Sequence, residues 1–248
     1  MRRLVLILLL ASGMAGAQIT MRHTAVNTDQ SGTVATSIST SSGIAVSAGD
    51  ALVVSCRSGG STAANAPTDT AGDTFTLATS NTQGSVGVLS TWLAYNVTSS
   101  ASETITCNYP SSLPYRTILV WDVAGAKTSG TPLDVAVSNV DGSASTSCRS
   151  ASFTTAVSGE AVLMSCAADN LNVNWTPDTG YACDACTSDM AASQHQIVTG
   201  TLAASTATLT MNGSNNWIAL LVTLEPAGSP PPVTMVPRHY GGTICCSR

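Results

Sequence analysis

The chain is 248 residues long with a formal net charge of −5, and only 9% of its residues are charged and 4% aromatic. Its nine basic residues are scattered, with Lys127 the sole lysine, which excludes a nucleic-acid binder that neutralises phosphates with clustered Lys and Arg. A hydrophobic content of 44% likewise excludes a chain too polar to form a core.

Met1-Arg2-Arg3 is a short positive segment, Leu4 to Ala11 is apolar, and Ala15-Gly16-Ala17 is a small-residue cleavage pattern. Together they read as a secretory signal peptide over residues 1–17. The apolar stretch is about half the roughly 20 residues that a membrane-spanning helix needs. Cleavage after Ala17 removes Arg2 and Arg3, leaving seven basic against fourteen acidic residues and a net charge of −7. The mature chain is therefore expected to be secreted or held at the cell surface, with the periplasm as the other oxidising address, and to have no membrane span.

From residue 18 to 226 no stretch sustains apolar residues at helical spacing. Short alternating or apolar runs rich in β-branched residues recur instead, bounded by Gly, Asn, Asp, Ser and Pro. Strands are predicted at 22–28, 33–39, 51–57, 74–79, 86–95, 103–109, 116–123, 133–139, 147–154, 160–167, 193–199, 206–211 and 216–225. This is an all-β, antiparallel β-sandwich pattern. A weak internal repeat accompanies it: Gly49 to Cys56 matches Gly159 to Cys166, and Thr104 to Asn108 matches Thr208 to Asn212. Two small Ig-like domains would explain the repeat. One interlocked sandwich of jelly-roll type is preferred, because Val123 to Phe153 carries more strand-like sequence and no clear linker. Residues 227–248 follow as a Pro-rich linker and a Cys-containing tail without periodicity, expected to be mobile.

Eight cysteines in an exported chain are expected to pair. Cys56 shares strand parity with Leu52 and Val54, and Cys107 with Ile105, so both face a core and can bond to each other. Cys166 occupies the repeat position of Cys56 and pairs with Cys148 on a weaker argument, since a regular strand would set Cys148 out of parity with Phe153. Cys183-Asp184-Ala185-Cys186 reads first as a small disulfide clamping a loop. A bridge to Cys245 or Cys246 in the tail, half a zinc site and a redox motif are the alternatives.

Asp69 and Asp73 bracket Ala71-Gly72, and Asp178 and Asp184 also lie near turns. Such carboxylates can bind calcium, but the sequence offers no full set of oxygens, and Asp in turns ordinarily accepts backbone hydrogen bonds. No metal or other cofactor is expected. Trp92, Trp121 and Trp217 fall inside apolar strands and are assigned to the core. Trp175, in the loop-like Asn172 to Tyr181, is the candidate with Tyr181 for an exposed stacking patch. Catalytic signals are thin: the histidines are His23, His195 and His239, no nucleophile elbow or metalloprotease helix occurs, and structural duty accounts for Glu103, Glu160 and Glu225. A spatial Ser-His-Asp set around His195 is the residual enzymatic reading, and no catalytic residue is assigned. Asn96, Asn174 and Asn212 head N-glycosylation patterns, read as chance matches in a Ser/Thr-rich chain.

The segments Ala48 to Val54, Thr68 to Thr76, Pro132-Leu133-Asp134 and Asn216-Trp217-Ile218-Ala219 resemble Ser/Thr/Gly-rich β-sandwich modules that recur, often in tandem, in exported and surface proteins of environmental bacteria. The resemblance covers roughly residues 22–226 and implies a sandwich fold without implying an activity. The chain departs from the pattern in standing as a single copy, in its strand cysteines and in its Cys-bearing tail. The expectation is a non-enzymatic adhesion or structural module with a surface polysaccharide or another surface protein as partner. The alternative is a carbohydrate-binding module using Trp175 and Tyr181.

Overall fold

The computed structural model describes residues 18–187 and 189–228; the signal segment and the tail with Cys245 and Cys246 lie outside the described residues. The first half contains β1 (Thr20–Asp29), β2 (Ala35–Ser39), β3 (Ile44–Val46), β4 (Ala51–Ser58), β5 (Thr68–Asp69), β6 (Thr76–Gln83), β7 (Gly87–Tyr95), β8 (Ser100–Glu103), β9 (Ile105–Leu113) and β10 (Arg116–Ala124). The second contains β11 (Leu133–Val140), β12 (Ser145–Arg149), β13 (Ala161–Ala168), β14 (Trp175–Thr176), β15 (Ala182–Ala185), β16 (Ala191–Ile197), β17 (Thr208–Asn215) and β18 (Trp217–Leu224). All pairings between these strands are antiparallel. Among the described residues no helix is long and apolar enough to cross a membrane.

Two five-stranded sheets dominate, ordered β1-β10-β4-β7-β6 and β11-β18-β13-β16-β15. Each carries a smaller layer on one face: β2-β9-β5 with the β3-β8 pair on the first, and β12-β17-β14 on the second. The faces that remain pack on each other. Ala51, Val53, Trp121 and Val123 of the first sheet meet Ala161, Leu163, Val222 and Leu224 of the second, so four β layers lie in series. This explains why β4, β10, β13 and β18 are buried along their whole length. A strand covered on both faces has no solvent side for polar residues, and its sequence becomes a continuous apolar run such as Ile118 to Val120 or Ile218 to Val222.

Strand parity divides each central strand between two cores. Leu52, Val54 and Cys56 point into the first half's own interior, with Ile105, Cys107, Ile118 and Val120. Val162, Met164 and Cys166 do the same in the second, with Cys148, Phe153 and Leu209. Cys56 is bonded to Cys107 and Cys148 to Cys166, so each interior is crosslinked once between its two layers. The interface between halves has a polar centre: Ser55 bonds to Thr91 at 2.8 Å and donates to Ser165 across the layers at 3.0 Å. Arg57, also buried, donates to the Tyr115, Val86 and Ala168 carbonyls at 2.7, 3.0 and 3.1 Å. Its guanidinium thereby ties the first half to the end of β13.

The preference for one interlocked sandwich is corrected, because no sheet among the described residues mixes strands of the two halves and each half has its own interior. The strand expectations differ from the structure at the short elements. β3, β5, β14 and β15 have two to four residues, too few to establish a period. β12 ends at Arg149, so the parity argument that separated Cys148 from Phe153 does not apply, and both side chains enter the same core.

Candidate functional site

Among the described residues, three of the nine buried side-chain polar atoms without a hydrogen-bond partner lie at the acidic loop end of the first half, on Asp69 and Glu103. β5 delivers Asp69 to the start of a tight loop in which Gly72 adopts φ +82°, a conformation open to glycine without steric cost. Asp69 Oδ1 accepts hydrogen bonds from the amides of Gly72 and Asp73 at 2.6 and 2.9 Å. Asp73 accepts the Thr98 amide at 3.1 and 3.2 Å with its two oxygens. The Thr70 amide donates to the Thr104 carbonyl, and the Thr104 amide to Thr70 Oγ1, both at 3.2 Å. These bonds clamp the loop against the junction of β8 and β9, where Glu103 sits.

Glu103 is fully buried, and a carboxylate oxygen of each of Asp69, Asp73 and Glu103 lies within 4.8 Å of the others. Neither oxygen of Glu103 has a hydrogen-bond partner, and Asp69 Oδ2 is buried and unpartnered as well. Desolvation and the adjacent Asp69 carboxylate push Glu103 up to about 8, because burial and a like charge both disfavour the ionised form. The expectation that structural duty accounts for Glu103 finds no side-chain hydrogen bond to rest on: the neighbours of its carboxylate include the acids Asp69 and Asp73.

A second acidic pair lies nearby. Asp122 is fully buried; its Oδ2 meets His23 Nδ1 at 2.9 Å while its Oδ1 has no partner. Asp50, also buried, pairs with Arg22 Nε at 3.0 Å and accepts the Ser47 amide at 3.2 Å. Burial and Asp50 raise Asp122 to about 6, against the opposing pull of His23. Arg22 and His23 of this region are thus engaged by Asp50 and Asp122, and neither is hydrogen-bonded to Glu103.

The other sequence candidates fall elsewhere. Trp175 is not on an exposed loop: it lies in β14, is 5% exposed, and donates through Nε1 to the Asp189 carbonyl at 2.9 Å. Pairing of Trp175 with Met211 turns the indole into the second core, against which half-buried Tyr181 packs. The stacking patch expected of these two residues is therefore not on the surface. Trp121 and Trp217 are core residues and Trp92 packs against the first core. Tyr95 lines a surface groove together with Leu77, Leu93, Thr131 and Leu133. Cys183 and Cys186 are bonded to each other. Between them Asp184 accepts from Trp121 Nε1 at 2.7 Å and meets His195 Nδ1 at 2.6 Å. Among the described residues no Ser or Thr hydroxyl is hydrogen-bonded to His195, so this Asp–His pair is joined to an indole rather than to a nucleophile.

No protein-family model, curated protein or solved structure matches the chain.

Proposed function

We propose that the protein is an exported, non-enzymatic β-sandwich that serves as an adhesion or structural module at the cell surface or outside it. The observation that carries this reading is the crosslinked interior: each half has a disulfide joining its two layers, Cys56–Cys107 and Cys148–Cys166. Such bonds persist in oxidising compartments and are rare in reducing ones. They are compatible with an extracellular or periplasmic protein, and the N-terminal segment supplies the route. A charge-poor, Ser/Thr-rich exterior on a rigid stack of strands suits a load-bearing or displayed element.

Labelling of intact, unpermeabilised cells of the producing organism with antibody to the mature chain, together with thiol counting, tests the reading. Surface or supernatant signal and blocked core cysteines support it; a cytoplasmic protein with free thiols overturns it. The carbohydrate-binding alternative is favoured by one specific feature, the Tyr95–Leu77 groove, where Leu77 is 48% and Tyr95 39% exposed. Polysaccharide pull-down with Tyr95→Ala as the control addresses it: retention by wild type and loss in the variant would move the assignment to that groove.

A further inference from the structure

We propose that Asp69, Asp73 and Glu103 form a binding site for a calcium ion. The inference goes beyond the adhesion or structural reading and does not depend on it, because the binding is a property of the folded first half wherever the protein works.

The geometry meets the requirement of a single ion. Calcium–oxygen contacts are about 2.3–2.6 Å long, so two oxygens on one ion lie no more than about 5 Å apart. One carboxylate oxygen of each of the three residues falls within 4.8 Å of the other two. The donors are all oxygen, which selects a hard cation over zinc or copper. Asp69 and Asp73 are each anchored by backbone amides, so their positions are set before any ion arrives. Both are half-buried, leaving a solvent side from which waters can fill the remaining coordination positions.

Glu103 points to a ligand independently of the clustering. A buried ionised carboxylate without a hydrogen bond or counter-charge carries a large desolvation cost. Glu103 is fully buried, neither of its oxygens has a hydrogen-bond partner, and an oxygen of each of the other two acids lies within 4.8 Å. Asp69 Oδ2 is in the same state. The arrangement needs a positive charge between the carboxylates, either a proton shared by Glu103 and Asp69 or a cation held by all three. The third carboxylate decides between them. A shared proton satisfies two oxygens and leaves Asp73 adding repulsion, whereas a divalent ion uses all three charges. Calcium fits better than magnesium because it accepts a bidentate carboxylate and irregular geometry, while magnesium demands a near-ideal octahedron and keeps its waters.

The test is calorimetric titration of the mature, disulfide-bonded protein at pH 7.5, after EDTA treatment and buffer exchange, with CaCl2 and separately with MgCl2. A thermal melt in each condition accompanies it. Expected is one calcium per chain, in the range of about 10⁻⁴–10⁻³ M typical of extracellular modules. At saturating calcium, about a hundredfold above the dissociation constant, the midpoint rises by roughly 5–10 °C, with a smaller rise in magnesium. Glu103→Gln and Asp69→Asn each weaken binding by about tenfold or more, as expected when a charged ligand is removed. Asp178→Asn, in a loop of the second half, leaves it unchanged. If Glu103→Gln does not fold, Asp73→Asn, at a half-buried position, carries the same expectation. No binding heat and no calcium-dependent shift in wild type overturns the proposal and leaves the shared proton. So does a calcium response undiminished in both Glu103→Gln and Asp69→Asn.

Discussion

The two halves of the molecule solve one packing problem with different chemistry. Their five-stranded sheets have corresponding strand orders, and Cys56 of β4 stands where Cys166 stands in β13. Both cysteines reach into the facing layer, but to different strands. In the first half the partner is Cys107 on β9, which sits opposite Ile38 of β2. In the second it is Cys148 on β12, which sits opposite Leu209 of β17. Each half thus places one half-cystine and one aliphatic side chain on the same two neighbouring strands, with the assignments exchanged. The polar positions diverge more sharply. Arg57 corresponds to Ala167, the buried acids Asp50 and Asp122 to Glu160 and Thr223, and Glu103 to Ser205. That last correspondence follows from a shared bond, since Thr40 Oγ1 accepts the Ile105 amide as Ser150 Oγ accepts that of Ala207. The strand order is set by which residues are apolar and in what parity, and it tolerates exchanges that preserve these. The charged positions are where the halves acquire separate properties.

The exchanged disulfides give the largest test of this contrast. In the chain-entropy model the stabilisation grows with the loop closed, and the sequence separations are 51 for Cys56–Cys107 and 18 for Cys148–Cys166. Replacing both cysteines of the first pair by Ala is expected to cost about 4 kcal/mol, and of the second about 3 kcal/mol. Urea unfolding of the two double variants measures this. A reversed order would mean that the local fit of each crosslink, rather than the freedom of the unfolded chain, separates the halves.

What the sequence could carry follows the same division. The central strands were legible because burial on both faces leaves continuous apolar runs, and Cys56 and Cys107 because strand parity sets them with Leu52, Val54 and Ile105, which share their core. The match of Thr104–Asn108 to Thr208–Asn212 is displaced by two residues from the strand pairing, which sets Cys107 against Leu209 rather than Met211. A shift of two preserves strand parity, so the pattern of apolar residues cannot reveal it. Trp175 was misplaced because a two-residue strand has no period, and its burial depends on β17, more than thirty residues away. Glu103 was missed for a related reason. Its neighbours Asp69 and Asp73 are brought to it by the β5–β9 pairing, and nothing within a few residues of Glu103 announces them.

Arg57 tests whether the halves are held together by apolar contact alone. Burial lowers its pKa to about 10, so it remains protonated at neutral pH, and its three carbonyl partners include Ala168 of the second half. Arg57→Ala leaves those carbonyls without their donor and opens a void, with an expected cost of about 3 kcal/mol. Arg57→Met fills most of the void without restoring the bonds and is expected to recover about half of that loss. Thermal melts of both variants check this. Equal stability of Arg57→Met and wild type would mean that the guanidinium's desolvation cancels its hydrogen bonds, and that the first half gains nothing over Ala167 at this position.

The smallest effect concerns Asp122, whose counterpart is the uncharged Thr223. The groups facing Asp122 are His23 on β1, Asp50 beside β4 and, at longer range, Glu103. Burial and Asp50 raise Asp122 to about 6 from an ordinary value of 3.8. The folded state therefore binds more protons than the unfolded state between these values, and this group's contribution to stability falls as pH rises through that window. Above about pH 6 the full cost of an ionised, half-partnered carboxylate is present; below about pH 4 both states are protonated and the cost vanishes. Asp122→Asn keeps an acceptor for His23 and removes the charge. In EDTA it is expected to be more stable than wild type by about 1–2 kcal/mol at pH 8, with the difference disappearing by pH 4. Chemical denaturation across pH 4–8 provides the measurement. An advantage that does not change with pH would mean that the substitution acts through packing, and that the exchange of Asp for Thr between the halves is not electrostatic in its effect.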